Sequence, residues 1–190
     1  IDEWDCICRI IDINADKWRY CQPGHYNDMD MLQVGRGMSY EEDKAHFSMW
    51  AMMCSPLLAG NDLTTMSEET LNILTNTEVI ALNQDPLCDQ ARRLQKDGEL
   101  EVWGKPLTDT MSGRVAVALL NRSATAQNIT FDLKAVGMEA AAGYTMRDLW
   151  SKKDYKTSTA AQQTFEVPSH GVVVLRMEGT ANKYNVYGYK

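Results

Sequence analysis

The sequence predicts an α/β half followed by an all-β half, and three observations carry that reading. Up to about residue 90, helix-spaced apolar residues alternate with polar turns and short apolar runs, as in an α/β barrel or a doubly wound sheet. From about residue 91 the apolar period falls to two, with short runs parted by turn residues, as in an antiparallel sandwich. Asp85-Pro86-Leu87 marks the junction between the two patterns.

The run Gly24-His25-Tyr26-Asn27-Asp28-Met29-Asp30-Met31-Leu32 is the most informative stretch of the chain. It sets two carboxylates two residues apart, so an extended backbone would project both from one side. Polar residues crowd its first half and a glycine-bearing turn (Gly35, Gly37) follows, which points to a sugar-lined pocket at a strand end. Ser39-Tyr40-Glu41-Glu42 is a capping box, each side chain satisfying an orphan backbone N–H. Phe47, Trp50, Ala51 and Cys54 then fall at helical spacing, with Pro56 ending the helix. Met49, Met52 and Met53 widen its apolar face, a pattern of core packing rather than of a cofactor site.

Leu57-Leu58-Ala59-Gly60 reads as a strand buried on both faces, with Asn61-Asp62 at its polar exit. Ser67 caps the next helix, Glu68 and Glu69 sit where the macrodipole favours them, and Leu71, Ile73 and Leu74 form its apolar side. In either α/β arrangement function lies at the carboxyl ends of the strands. In the second half Leu100 and Val102 alternate with polar neighbours. Val115, Val117 and Leu119 do the same, followed by Ile129, Phe131 and Leu133, then Phe165 and Val167. The last strong strand is Val172 to Met177. Asp97-Gly98, Ser112-Gly113 and Ser169-His170-Gly171 supply the turns. Tyr184 to Lys190 shows no period.

The 190 residues are 44% hydrophobic and 24% charged, with a net charge of −7. That balance argues against nucleic acid, which needs clustered Lys and Arg, and no apolar run approaches a membrane span. Location is left open among secreted, periplasmic and cytoplasmic, and so is the oligomeric state. Five cysteines is an odd count. Cys6-Ile7-Cys8 lacks a second pair at zinc spacing, so neither a metal nor a cofactor is expected, and the cysteines read as reduced thiols with Cys54 packed in a helix. No His pair sits at i, i+4 with a Glu, and no G-x-S-x-G elbow is present.

Taken together these residues resemble the family 27 glycoside hydrolases, the α-galactosidases and α-N-acetylgalactosaminidases. The family's N-D-P-D-M-L pattern stands here as Asn27-Asp28-Met29-Asp30-Met31-Leu32. Tyr40-Glu41-Glu42, Phe47 to Trp50, Ser55-Pro56-Leu57-Leu58, Asn61-Asp62-Leu63, Glu78-Val79-Ile80-Ala81 and Asn83-Gln84-Asp85-Pro86-Leu87 follow in the family's order. The resemblance implies the C-terminal portion of a (β/α)8 barrel over residues 1–90, an antiparallel β-sandwich over 91–178 and a tail over 179–190.

It also implies a retaining exo-glycosidase that releases terminal α-D-galactosyl groups by double displacement. Such an enzyme uses two carboxyl groups about 5 to 5.5 Å apart. The family's W-R-x-x-x-D-I pattern is nearest to Arg9-Ile10-Ile11-Asp12-Ile13, with Trp18 following. Asp12 is thereby the expected acid/base, and Arg9 the expected contact to a sugar hydroxyl. Met31 is expected to line the sugar pocket, with Asp28 and Asp30 holding its loops in place and Met29, in place of the family's proline, loosening the turn. The K-Y-D strand that carries the family's nucleophile has no counterpart, so the nucleophile is expected upstream and the chain alone is expected to be inactive. Two rival readings are a non-catalytic carbohydrate-binding or structural module, and the same chemistry on α-N-acetylgalactosamine or β-L-arabinopyranose. Unpaired barrel strands expose their edges, so the β-domain is expected to be soluble alone and the whole chain less so.

Overall fold

Among the described residues four α-helices come first, and three of them start where the sequence supplies a side-chain partner for the free backbone N–H groups. The structure, a computed structural model, describes residues 3–108, 113–183 and 186–187. Helix α1 (Glu3–Asn14) carries Glu3 and Asp5 in its first turn and buries Trp4, Ile7 and Ile11 along one stripe. Helix α2 (Tyr40–Met52) opens on the expected capping box: Ser39 Oγ accepts the Glu42 N–H at 3.3 Å, and Glu42 Oε2 accepts the Ser39 N–H at 2.8 Å. From Ala45 to Met52 every side chain of α2 is buried, so this helix is central.

Helix α2 ends at Met52, and Cys54 lies beyond it at φ 57° rather than within it. Helix α3 (Glu68–Leu74) is capped by Ser67, whose Oγ accepts the Thr70 N–H at 3.1 Å. Ile73 buries as expected, whereas Leu71 stays 45% exposed. Helix α4 (Thr77–Asn83) is capped by Asn76, whose Oδ1 accepts the N–H groups of Glu78 and Val79.

The run at 57–60 forms no extended ladder. It meets Leu32 in a single parallel bridge, with the Leu32 N–H donating to the Leu58 carbonyl at 2.8 Å. Leu58 is 58% exposed, so burial on both faces is not realised among the described residues.

Among the described residues eight antiparallel strands follow: β1 (Arg92–Asp97), β2 (Leu100–Pro106), β3 (Arg114–Asn121), β4 (Gln127–Asp132), β5 (Tyr144–Asp148), β6 (Asp154–Ser158), β7 (Gln162–Val167) and β8 (Val172–Glu178). They make a six-stranded sheet in the order β1-β2-β3-β8-β5-β6 and a two-stranded sheet of β4 and β7. Val115, Val117, Leu119, Leu175 and Met177 face the small sheet, meeting Ile129, Phe131 and Val167. Their neighbours Ala116, Ala118, Leu120, Val172 and Val174 turn the opposite way and pack with Trp50, Phe47 and Met53 of the helical half. Strand β3 is thus buried on both faces, because the helices cover the side that carries Ala116, Ala118 and Leu120.

Of the aromatic tail only residues 186–187 are described; the rest of it, and Ser112 of the expected turn, lie outside the described residues. Tyr187 enters the sandwich core and donates its hydroxyl to the Val136 carbonyl at 2.8 Å. A Cβ at Gly104 would lie 2.6 Å from that hydroxyl, so the tyrosine fits only over a glycine.

Polar ties reinforce the junction between helices and sheet. Glu78 of α4 takes two bonds from Arg147 of β5, at 2.7 and 2.9 Å. Glu42 uses its second oxygen to bond His170 Nδ1 at 2.7 Å, and the His170 ring stacks on Trp4 of α1.

Candidate functional site

The segment from Asn27 to Gln33 is held from behind by α2 and the residues after it. The Met29 N–H donates to Ser55 Oγ at 2.9 Å, and Trp50 Nε1–H donates to the Asp30 carbonyl at 2.8 Å. The Gln33 N–H donates to His46 Nε2 at 2.9 Å. Only a neutral imidazole can accept there, and burial pushes the His46 pKa down to about 3, which keeps it neutral. Asn27 reaches Gln90 Oε1 at 2.7 Å and the Lys17 carbonyl at 2.8 Å. Met29 therefore does not loosen the turn: it supplies an N–H that a proline would lack.

Within the turn the two aspartates act as backbone acceptors. Asp28 Oδ1 accepts the Asp30 N–H at 2.9 Å, and Asp30 Oδ1 accepts the Met31 N–H at 2.7 Å. Asp30 sits at φ 73°, a left-handed position that Asp tolerates because its short side chain bonds locally. Below it Gly35, at φ 74°, donates its N–H to Asp43 Oδ2 at 2.9 Å. Burial, with Glu42 and Glu3 nearby, lifts the Asp43 carboxyl to about 6 despite that bond.

This scaffold presents Met31, 52% exposed, at a cleft of about 430 Å3. Glu3, Ile10, Asp30, Arg36 and Trp50 also line it. The volume lies in the range of small-molecule sites. Asp28 does not line it and reaches it only through its bond to the Asp30 N–H.

Asp12 and Arg9 lie elsewhere. Both are on helix α1, not at a strand exit, and neither lines the cleft. The Asp12 carboxylate is bonded by Arg93 of β1 and, through both oxygens at 3.0 Å, by Arg122. The same cations and Lys96 surround Glu101 of β2, which is fully buried and also accepts Trp103 Nε1–H at 2.8 Å. Burial pushes the Asp12 carboxyl up, but the bonds from Arg122 and Arg93 outweigh it and hold it below the usual range. A glycosidase acid needs the opposite, a carboxyl raised enough to keep its proton. Arg9 is exposed on the same helix.

Sequence reasoning missed the residues that pin the turn. Ser55 gives no local signal, and His46 and Trp50 read only as one helix face, spaced i, i+4. It also missed three buried cysteines that converge: the sulfurs of Cys21, Cys54 and Cys88 all lie within 4.8 Å of one another.

Two family models cover most of the chain. One, described as α-galactosidase A, matches residues 1–85, and another, the α-galactosidase C-terminal β-sandwich domain, matches residues 97–177. The chain belongs to glycoside hydrolase family 27. α-Galactosidase A of Cellvibrio japonicus is 44% identical over 178 residues, covering 88% of this chain and 43% of that protein. The crystal structure of α-galactosidase I from Mortierella vinacea superposes with a TM-score of 0.88 at 31% identity, over 94% of this chain and 46% of that one. A family 27 β-L-arabinopyranosidase from Geobacillus stearothermophilus gives 0.84 at 25% identity, over 96% and 44%.

The chain spans less than half the length of these relatives. Within the family fold its helical half is the C-terminal portion of a (β/α)8 barrel, and its strands are the β-sandwich that follows. The parallel bridge from Leu32 to Ala59 is the barrel-type pairing present among the described residues.

Proposed function

We propose that this chain is the C-terminal part of a retaining exo-α-galactosidase, with residues 1–90 closing the barrel and 91–178 forming the sandwich. The cleft at Met31 carries the reading. A partly exposed apolar side chain stands on a turn that five hydrogen bonds from Met29, Trp50, Gln33, Asp30 and Met31 donors make rigid. Rigid support of this kind suits a wall that must keep a sugar ring in register with reacting groups. In this reading Met31 touches substrate, while Asp28 and Asp30 position it through the backbone. Asp12 and Arg9 belong to the helix that docks on the sandwich, not to the reacting groups. In this reading the nucleophile comes from the family's K-Y-D strand, which has no counterpart among these residues, while Asp28 and Asp30 each accept a backbone N–H of the turn.

Hydrolysis of p-nitrophenyl α-galactoside tests this. The full-length protein carrying this chain should turn it over, releasing α-galactose as the first anomer seen by NMR. This chain alone should not. β-Galactose as the first product would overturn retention, and no turnover by the full-length protein would favour a non-catalytic module. Faster release from a β-L-arabinopyranoside than from the galactoside would reassign the sugar.

A further inference from the structure

The cluster of Cys21, Cys54 and Cys88 lies outside the cleft at Met31. We propose that these three cysteines bind one divalent thiophilic cation, of the Zn2+ class, with Lys105 balancing its charge.

Sulfur spacing is the first support. Metal–sulfur bonds of about 2.3 Å place ligand sulfurs about 3.8 Å apart in a tetrahedral site and about 4.0 Å apart in a trigonal one. Cys21 Sγ and Cys88 Sγ are 4.0 Å apart, and all three sulfurs fall within 4.8 Å. A disulfide would instead need about 2.05 Å, bringing two sulfurs together and leaving the third without a role.

Charge is the second support. Lys105 is fully buried, and its ammonium donates to Cys54 Sγ at 2.8 Å and to the Asp89 carbonyl at 2.6 Å. A buried cation needs an anion beside it. Three thiolates around a divalent ion carry a net charge of −1, which one ammonium cancels; a monovalent ion would leave −1 uncompensated. Each thiol passes its proton to solvent as its bond to the metal forms, and no electron is transferred.

Backbone geometry is the third. Cys54 (φ 57°) and Cys88 (φ 46°) both occupy left-handed positions that favour glycine. Cysteine at two such positions within one cluster points to a role for the sulfurs. Entry is provided by a cleft of about 350 Å3 lined by Cys54, Cys88, Pro23, Tyr26 and Asp85, which leaves room for a water as fourth ligand.

The test is titration of the reduced purified protein with Co2+, then Zn2+, under inert gas. One Co2+ per chain should bind with a thiolate-to-metal charge-transfer band, which equimolar Zn2+ erases, and Zn2+ should raise Tm until a chelator reverses it. Cys21→Ser and Cys54→Ser should lose the band, while Cys6→Ser and Cys8→Ser keep it. Cys88→Gly, a substitution its φ favours, should keep native circular dichroism and still lose the band. Absence of a band in the unsubstituted protein would overturn the proposal, as would its survival in the Cys88→Gly variant. A Cys21–Cys88 disulfide forming in air despite available Zn2+ would also overturn it.

Discussion

Arg122 grips Asp12 through two N–H···O bonds of 3.0 Å, joining the end of β3 to helix α1 across 110 residues of sequence. The pair continues inward to Glu101, which Arg93, Lys96 and Arg122 all approach. Asp12 is partly exposed, so Asp12→Asn should cost only about 1 kcal/mol of stability. Glu101→Ala should cost about 3 kcal/mol or more, because it strips a buried counter-charge from the cations. In the full-length protein Asp12→Asn should leave kcat for an α-galactoside near normal while lowering Tm. A loss of turnover with Tm unchanged would restore Asp12 as the acid.

Glu78 sets an acid limit on the same junction. Hydrogen bonds from Arg147 lower its pKa to about 2, from an ordinary value near 4.5, with Lys152 assisting. A carboxyl depressed on folding contributes stability above its unfolded pKa and loses it as pH falls through the folded one. Tm should therefore fall as pH drops from about 4.5 toward 2. Glu78→Gln should lower Tm at pH 7 and flatten that acid slope. An identical slope in the variant would remove Glu78 from the account.

Met29 offers a test of how the turn is held. Met29→Pro restores the residue of the family pattern but deletes the N–H that Ser55 Oγ accepts. A lost buried hydrogen bond costs about 1 to 2 kcal/mol. Met29→Pro and Ser55→Ala should each destabilise by about that amount, and the double variant by little more than either. Additive losses would show that the two residues act independently.

What was legible in the sequence was local. Ser39 and Ser67 announce helix starts because a cap bonds a backbone N–H three residues away, and Val115-x-Val117-x-Leu119 announces a strand because side chains alternate. The family motif at Asn27 to Leu32 drew attention to Met31, which lines a cleft. The place of Asp12 on a helix was not legible, because its partners Arg93 and Arg122 lie far along the chain. The both-sided burial of β3 was hidden for a related reason: alanines at 116 and 118 declare no face until the helices cover them. Cys21, Cys54 and Cys88 meet only through the fold, across intervals that show no metal-site spacing.

The shared core argues against the expectation that the β-domain stands alone. Trp103, Ala116, Ala118, Leu120 and Val174 are fully buried on the sheet face that the helices cover. Uncovering one tryptophan of about 200 Å2 forfeits about 5 kcal/mol, comparable to the whole stability of a small domain. It would also remove Asp12 from beside Arg122 and Glu78 from beside Arg147. A segment starting at residue 91 and keeping Tyr187 should therefore aggregate or bind a hydrophobic dye, whereas residues 1–190 should unfold in one cooperative transition. Replacing Trp103 with Gln in the isolated segment should improve its solubility, since the exposed indole then no longer needs covering. A monomeric, cooperatively folding segment 91–190 would show that the sheet face is stable without the helices.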